Sequence, residues 1–328
     1  MREGAMTDQE TIIALISRHA PRDGTVETAV PGLKLIRCSQ PTLPMPVIYE
    51  PTLCLVAQGR KQAMLGKTAF VYDRARYLIA SVDLPVMGSV VEASAEAPYL
   101  CLQLDLDTVE LAELAIRYPP KEAPRPRALS GLLLHDVDSG VVEAAVRLLR
   151  LLDRPEDIDA LAPLATREIL YRLITGPGAA SVRHMARAGT HLSQIARAIV
   201  WIRARFREAC PIEDAAEVAG MSRSAFHAHF KAITLMSPLE FRTQLRLQEA
   251  RRLMLSERLD AASAGFAVGY ASPSQFSRDY VRVFGLPPAR DVQRLRETGE
   301  SPASGEGQRR RDLPAGAGQP RRASRADA

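Results

Sequence analysis

MSRSAFHAHFKAITLMSP, residues 221–238, and SPSQFSRDYVRVFGLPP, residues 272–288, are two copies of one pattern set fifty residues apart. Ser222, Ser224, Phe226, Phe230 and Pro238 of the first recur as Ser272, Ser274, Phe276, Tyr280 and Pro288 of the second. A short helical segment ending in glycine precedes each copy, AAEVAG at 215–220 and AGFAVG at 264–269. Helix, glycine turn, Ser N-cap and second amphipathic helix are the parts of a helix-turn-helix unit. Two units in one chain give a monomer two probes for neighbouring stretches of the DNA major groove. The alternative, two ordinary helical hairpins of an all-α domain, explains one copy as well as it explains any hairpin. It does not explain two matched copies.

The spacing assigns faces. In the first copy Ser222 caps a helix whose Phe226, Phe230 and Ile233 lie at i, i+4 and i+7 and turn inward. Arg223, Ser224 and His227 are left on the outer face near the helix start. In the second copy Ser272 caps and Pro273 takes the first helical position, where its missing N–H is not needed. Phe276, Tyr280 and Val283 face inward, and Ser274, Ser277 and Arg278 face out. Short polar and basic groups at a helix start suit both base edges and phosphates. Between the copies, SPLEFRTQLRLQEARRLMLS supplies apolar positions at Leu239, Leu245, Leu247, Ala250, Leu253 and Met254. Leu239 to Leu255 as a helix spans roughly 26 Å. With its turns it approaches the roughly 34 Å between successive major-groove faces, so it is expected to act as a rigid spacer.

These residues carry a resemblance. From about Ile195 to Arg294 the chain resembles the DNA-binding domain of the AraC/XylS family of transcriptional regulators, on MSRSAFHAHF, EFRTQLRLQEARRLML and VGYASPSQFSRDYVRVFGLPP. The resemblance implies groove-facing positions at Arg223, Ser224, His227 and Ala228, and at Pro273, Ser274, Ser277 and Arg278. Ala228 and Pro273 are poor hydrogen-bonders. Two residues depart from the pattern: Leu235 stands where a glycine usually ends the first recognition helix, and Gly265 where Ala is usual. A glycine inside a helix costs about 1 kcal/mol, so Gly265→Ala is expected to stabilise.

Charge follows the same division. The chain has 328 residues and a formal net charge of +5. Residues 1–183 carry −3, residues 184–297 carry +6 and the remaining tail +2. The positive charge sits with the tandem motif, as attraction to phosphate requires. TIIALIS, near the start, is too short for a membrane span or a signal peptide. The translation start is Met1 or Met6. Cys38, Cys54, Cys101 and Cys210 form no CxxC pair. Cys54 and Cys101 read as small core residues, and the expected compartment is a reducing cytoplasm.

Upstream the texture changes. TLCLVA, KQAML, TAFVY, RYLIAS, MGSVVEA and YLCLQL, within residues 46–106, are short β-forming runs separated by turn signals. They suggest a small antiparallel barrel or jelly roll. Helical runs follow in TVELAELAIRY, VVEAAVRLLRLLD and IDALAPLATREILYRLIT. QGRK at 58–61, VYD at 71–73, YLIASVDLPV at 77–86, APYL at 97–100 and REILYRLITGPGA at 167–179 resemble the N-terminal sensor domain of one AraC-type subgroup. That resemblance implies a cupin-like barrel that binds a small-molecule effector and helps a homodimer form. Tyr49, Tyr72, Tyr77 and Tyr99 are the candidate effector-binding residues.

The expected architecture is α+β and multidomain. An arm or helix at 1–25 precedes a cupin-like effector-sensing and dimerisation domain at 26–175. A linker at 176–190, loosened by Gly and Ala, leads to an all-α DNA-binding domain at 191–297. That domain holds helix-turn-helix units at about 212–233 and 260–284, and a disordered basic tail follows at 298–328. No catalytic residue, metal site or cofactor is expected. Only His19 and His135 precede residue 184, too few for a metal-dependent cupin, and His227 and His229 at i, i+2 cannot share a helix face. The candidate DNA-binding residues are Ser222, Arg223, Ser224, His227, Ser272, Ser274, Ser277 and Arg278. The expected partners are double-stranded DNA, a small effector, a second copy and, for an activator, RNA polymerase. A constitutive DNA-binding regulator with a non-sensing barrel and a cupin-type enzyme tethered to DNA are the rival readings.

Overall fold

The computed structural model describes residues 7–120, 130–187 and 189–297. The tail at 298–328 and the choice between Met1 and Met6 lie outside them. Helix α1 (Asp8–His19) opens with a capping box in which Thr7 and Glu10 satisfy each other's backbone N–H groups. Its Ile12, Leu15 and Ile16 are buried.

The six expected strands are present as β4 (Thr52–Gln58), β5 (Arg60–Leu65), β6 (Thr68–Asp73), β7 (Arg76–Ala80), β8 (Leu84–Glu92) and β9 (Tyr99–Asp105). Three more precede them, β1 (Gly24–Glu27), β2 (Leu33–Cys38) and β3 (Met45–Tyr49), and β10 (Leu132–Asp136) follows helix α2 (Thr108–Arg117). All pair antiparallel in one curled sheet ordered β1-β2-β9-β4-β7-β6-β5-β8-β3, with β10 on β7. The sheet is a half-barrel with its inner face filled by side chains. Helices α3 (Ser139–Arg150) and α4 (Ile158–Thr175) pack against each other, and α3 also meets α1.

The stretch read as a loosened linker is largely helical. Helix α5 (Ala179–Ala186) buries Val182 and Met185, and its Arg183 donates to the carbonyls of Ile174 at 2.8 Å and Ala115 at 3.2 Å. Seven helices complete the described chain: α6 (His191–Arg205), α7 (Ile212–Ala219), α8 (Arg223–Thr234), α9 (Pro238–Ser256), α10 (Ala261–Ala267), α11 (Pro273–Phe284) and α12 (Pro288–Glu297).

Hydrophobic packing does not respect the boundary expected near residue 190. One continuous core runs from Ile12 through the half-barrel, α5, α6, α7 and α8 to Leu245. A second, from Leu247 to Val292, belongs to α9, α10, α11 and α12. Helix α9 is therefore the spine between them, with Leu245 in one core and Leu247, Ala250, Leu253 and Met254 in the other. Leu239, counted among its apolar positions, is instead exposed. Polar contacts also tie the half-barrel to the helical part. Arg203 of α6 pairs with Asp83 and, at 3.2 Å, with Glu50. The Gly131 N–H donates to the Ile233 carbonyl at 2.7 Å, and the Arg251 guanidinium reaches the Pro44 carbonyl at 3.4 Å.

Gly265 reverses its expectation. Its backbone is helical, yet an added Cβ would lie 3.0 Å from Cγ and 3.2 Å from Cδ1 of the fully buried Phe276. Gly265→Ala is thus expected to lower stability by about 1 kcal/mol, because shifting a packed ring outweighs the gain in helix propensity. Thermal melting checks this: a higher Tm than wild type would show that Phe276 yields freely.

Candidate nucleic-acid interface and interior polar cluster

The first unit is α7, a turn and α8. Pro211 precedes α7, and Gly220 ends it in the left-handed region at φ 66°. Ser222 then caps α8 by accepting from the Ala225 N–H at 3.3 Å. Phe226, Phe230 and Ile233 are fully buried, with the Phe226 and Phe230 rings 5.3 Å apart. That leaves Arg223, Ser224 and Ala228 exposed and His227 half-buried. Arg223 pairs with Glu213 of α7 at 3.2 Å, both side chains open to solvent. The pair is a weak one that phosphate can displace. Leu235, where a glycine was usual, holds φ 57° and ends α8 in the left-handed region. A leucine there is strained. The half-barrel braces it, with the Leu235 carbonyl only 3.0 Å from where a Cβ on Gly66 would sit.

The second unit is α10, a turn and α11. Asp260 caps α10 by accepting from the Ser263 N–H at 2.9 Å. Gly269 makes the turn at φ 89°, where an added Cβ would lie 2.0 Å from the Arg207 carbonyl oxygen, so no other residue fits. Ser272 occupies the N-cap position of α11, but its side chain makes no capping hydrogen bond, contrary to the expectation from sequence. Pro273 at the first helical position fixes the start instead. Phe276 and Tyr280 are fully buried. Ser274 and Arg278 are exposed and Ser277 half-buried. Each unit thus presents exposed polar residues near the start of a helix anchored by aromatic rings, Arg223 and Ser224 on the first turn of α8, and Ser274 on the first turn of α11 with Arg278 on its second.

Beneath α11 lies an ion pair absent from the sequence reading. Arg251 of α9 and Asp291 of α12 meet at 2.8 and 3.0 Å, with side chains 2% and 0% exposed. The Tyr280 hydroxyl donates to Asp291 at 2.9 Å, and the Phe284 ring lies 4.5 Å under the guanidinium. Burial and the adjacent Asp291 push the Tyr280 phenol well above its ordinary range.

The four candidate effector residues do not share one place. Tyr49, Tyr72 and Tyr99 are fully buried inside the half-barrel, and the Tyr49 and Tyr72 hydroxyls are 2.9 Å apart. Tyr77 lies elsewhere, 5.7 Å from the His135 ring, its phenol pushed up to about 12 by burial and then by Asp138 and Asp136. Beside those three tyrosines stand the part-buried Lys61 and the buried Cys54 and Cys101, which the sequence reading did not group with them. Burial raises the Tyr49 phenol while Lys61 pulls it back, and Cys54 stands well above its ordinary value, chiefly through its hydrogen bond to Cys101. Burial also acts to raise Cys101, but Cys54, Tyr99 and Lys61 outweigh it and hold that thiol low. The signal available in sequence was parity, since Lys61 shares the strand face of the buried Ala63 and Leu65. Among the described residues no group of three or more His, Cys, Asp or Glu is placed to hold a metal, and no helix is long and apolar enough to cross a membrane.

Residues 29–181 match the family model for the AraC-type transcriptional regulator N-terminus, and residues 215–294 match a helix-turn-helix domain. The RCS-specific HTH-type transcriptional activator RclR of Escherichia coli is 37% identical over 86 residues, 26% of this chain and 30% of that relative. The HTH-type transcriptional activator RhaS of Shigella dysenteriae is 22% identical over 245 residues, 74% of this chain and 81% of its own. The match to RclR therefore spans under a third of that relative's length. Among solved structures, apo ToxT from Vibrio cholerae superposes with a TM-score of 0.51 at 9% identity, covering 83% of this chain and 99% of that one, a likeness of fold. With the AraC-type N-terminal domain followed by the helix-turn-helix domain, the chain belongs to the AraC-type family of transcriptional regulators.

Proposed function

We propose that the protein regulates transcription by binding a specific double-stranded DNA site through α8 and α11, in response to a small molecule held in the half-barrel. The observation that carries this reading is the pair of helices α8 and α11 with exposed polar and basic residues near their starts, in two helix-turn-helix units joined by one continuous helix. Ser222, Arg223, Ser224 and His227 serve the first half of the site, and Ser272, Ser274, Ser277 and Arg278 the second. Residues 26–175 are assigned to sensing and dimerisation and 191–297 to DNA binding. The shared core and the Arg203 contacts provide a route by which an effector that favours one arrangement of the half-barrel alters how α8 sits. A homodimer is supported by the apolar side chains left on α2 and α4, where Ile116 is 82%, Val109 68% and Leu164 63% exposed. The cytoplasm is the assigned compartment, and RNA polymerase the further partner if the protein activates.

Arg223→Ala and Arg278→Ala test the assignment. Each is expected to weaken specific binding by about 1–3 kcal/mol if the guanidinium reads a base edge. Binding to cognate and scrambled DNA is measured for both variants. An equal loss on the two DNAs reassigns the arginine to phosphate, and no loss on either removes it from the interface.

A further inference from the structure

We propose that His184, His191 and His229 form an acid-sensitive joint between α5 and α8, through which a fall in pH loosens the seat of the first recognition helix. The joint rests on the reading of α8 as a recognition helix. It adds a second signal, the proton, acting at the domain boundary and not inside the half-barrel.

Four of the chain's six histidines lie between residues 184 and 229. His184 is on α5, which packs against α2 and α4. Only four residues separate α5 from α6, and His191 is the first residue of α6. His191 is exposed to solvent on one side and lies against α8 on the other, its ring centre 3.7 Å from that of His229 and the ring planes 34° apart. Rings this close turn their faces to each other. Their nitrogen lone pairs lie in the ring planes and point past one another, so the pair takes up protons separately and does not chelate a metal.

The charges around these rings are all basic. Among the described residues, Arg187 and His191 are the charged groups that act on His184, and His191 is the one that acts on His229. The helices packed against them, α2, α4, α7 and α9, supply no carboxylate to either ring. On α7, Glu213 is taken by Arg223, and on α9, Glu240 is taken by the Ser237 N–H at 2.8 Å. His184 also holds its Nε2 buried with no hydrogen-bond partner among the described residues. A neutral ring tolerates that as a lone pair, with its N–H on Nδ1, whereas a charged ring must place a donor there.

The folded joint therefore favours neutral rings. Burial holds the His184 and His229 imidazoles below their ordinary value of about 6.5, and the neighbouring positive groups add to that. The sign follows from linkage: the stability this joint contributes is fully present above about pH 6.5 and is lost as pH falls below it. Charged rings on α5, α6 and α8 repel one another, and the contact that opens is the one between His191 and the flank of α8. Phe226 and Phe230, which anchor the same helix, then bear its position alone.

The test uses the full chain. Melting, and affinity for the DNA flanking its own gene relative to a scrambled copy, are followed from about pH 7.5 to about pH 5.5, where histidine titrates. Wild type is expected to lose Tm and several-fold of its discrimination over that range. His191→Gln and His229→Gln keep a polar side chain that does not titrate. Each should flatten both profiles, and the double variant should flatten them most. His227 titrates on the DNA face in every one of these proteins, so its effect cancels in the comparison. A role in packing alone would shift Tm equally at every pH. Variant profiles that run parallel to wild type would therefore overturn the proposal, as would a clear wild-type discrimination that does not change with pH. Equal affinity for native and scrambled DNA at every pH, beside flattened melting profiles in the variants, would sustain the acid-sensitive joint and contradict the DNA-binding reading instead.

Discussion

Asp291→Ala is expected to destabilise the second helix-turn-helix core by about 3–5 kcal/mol. Asp291 is fully buried and accepts from Arg251, Tyr280 and Arg294, so its removal strands a guanidinium and a phenol away from water. Total stabilities of about 5–15 kcal/mol make this a large fraction of what holds that region together. The consequence reaches function, because Tyr280 is one of the two rings anchoring α11. Replacing both partners, as Arg251→Met with Asp291→Leu, should cost much less, since no unpaired charge remains. Urea unfolding of the two variants gives the comparison. A single-variant loss below about 1 kcal/mol would show that water reaches the pair and that it is not the keystone of that core.

The second large effect concerns α9. Two residues inserted between its two halves should rotate one unit against the other by about 200° and lengthen the spine by about 3 Å. Both recognition helices could then no longer face one side of the duplex. Specific affinity should fall by on the order of 10²-fold or more, towards that of a single unit. A seven-residue insertion restores facing but moves the contacts about 10 Å along the axis, and should also fail on the native site. Because Leu245 and Leu247 belong to different cores, circular dichroism and melting must first establish that each variant is folded. A folded two-residue insertion that protects both half-sites normally would show that the units do not read as one.

Local features were the ones legible in sequence. Phe226, Phe230 and Ile233 declare a buried helix face by spacing alone, and Ser222 declares its start, because both effects act within one turn. Six strands were readable from β-formers between turn residues. β3 was not, with Pro46 inside five residues, nor was β10, which pairs back on β7 from more than fifty residues away. The segment 176–190 misled because Gly and Ala describe a free chain, whereas the fold of α5 is decided by what Val182, Met185 and Arg183 touch. Gly265 misled for a like reason: propensity is a property of α10 alone, whereas the sign of the effect is set by Phe276 on α11. The interior cluster was hidden in register. Cys54 and Cys101 are far apart in sequence and become neighbours only because β4 pairs with β9. Lys61 joins the cluster by strand parity, on the face of Ala63 and Leu65. Tyr77 lies apart from Tyr49, Tyr72 and Tyr99, a separation that residue type does not show and sheet order does.

Hydroxyl-radical footprinting of the full chain on the DNA flanking its own gene, titrated over salt, tests the tandem-reader claim most directly. Two protected segments about 10–10.5 base pairs apart on one face of the duplex are predicted, with affinity falling steeply as salt rises. A single protected segment, or equal affinity for scrambled DNA at physiological salt, would contradict it.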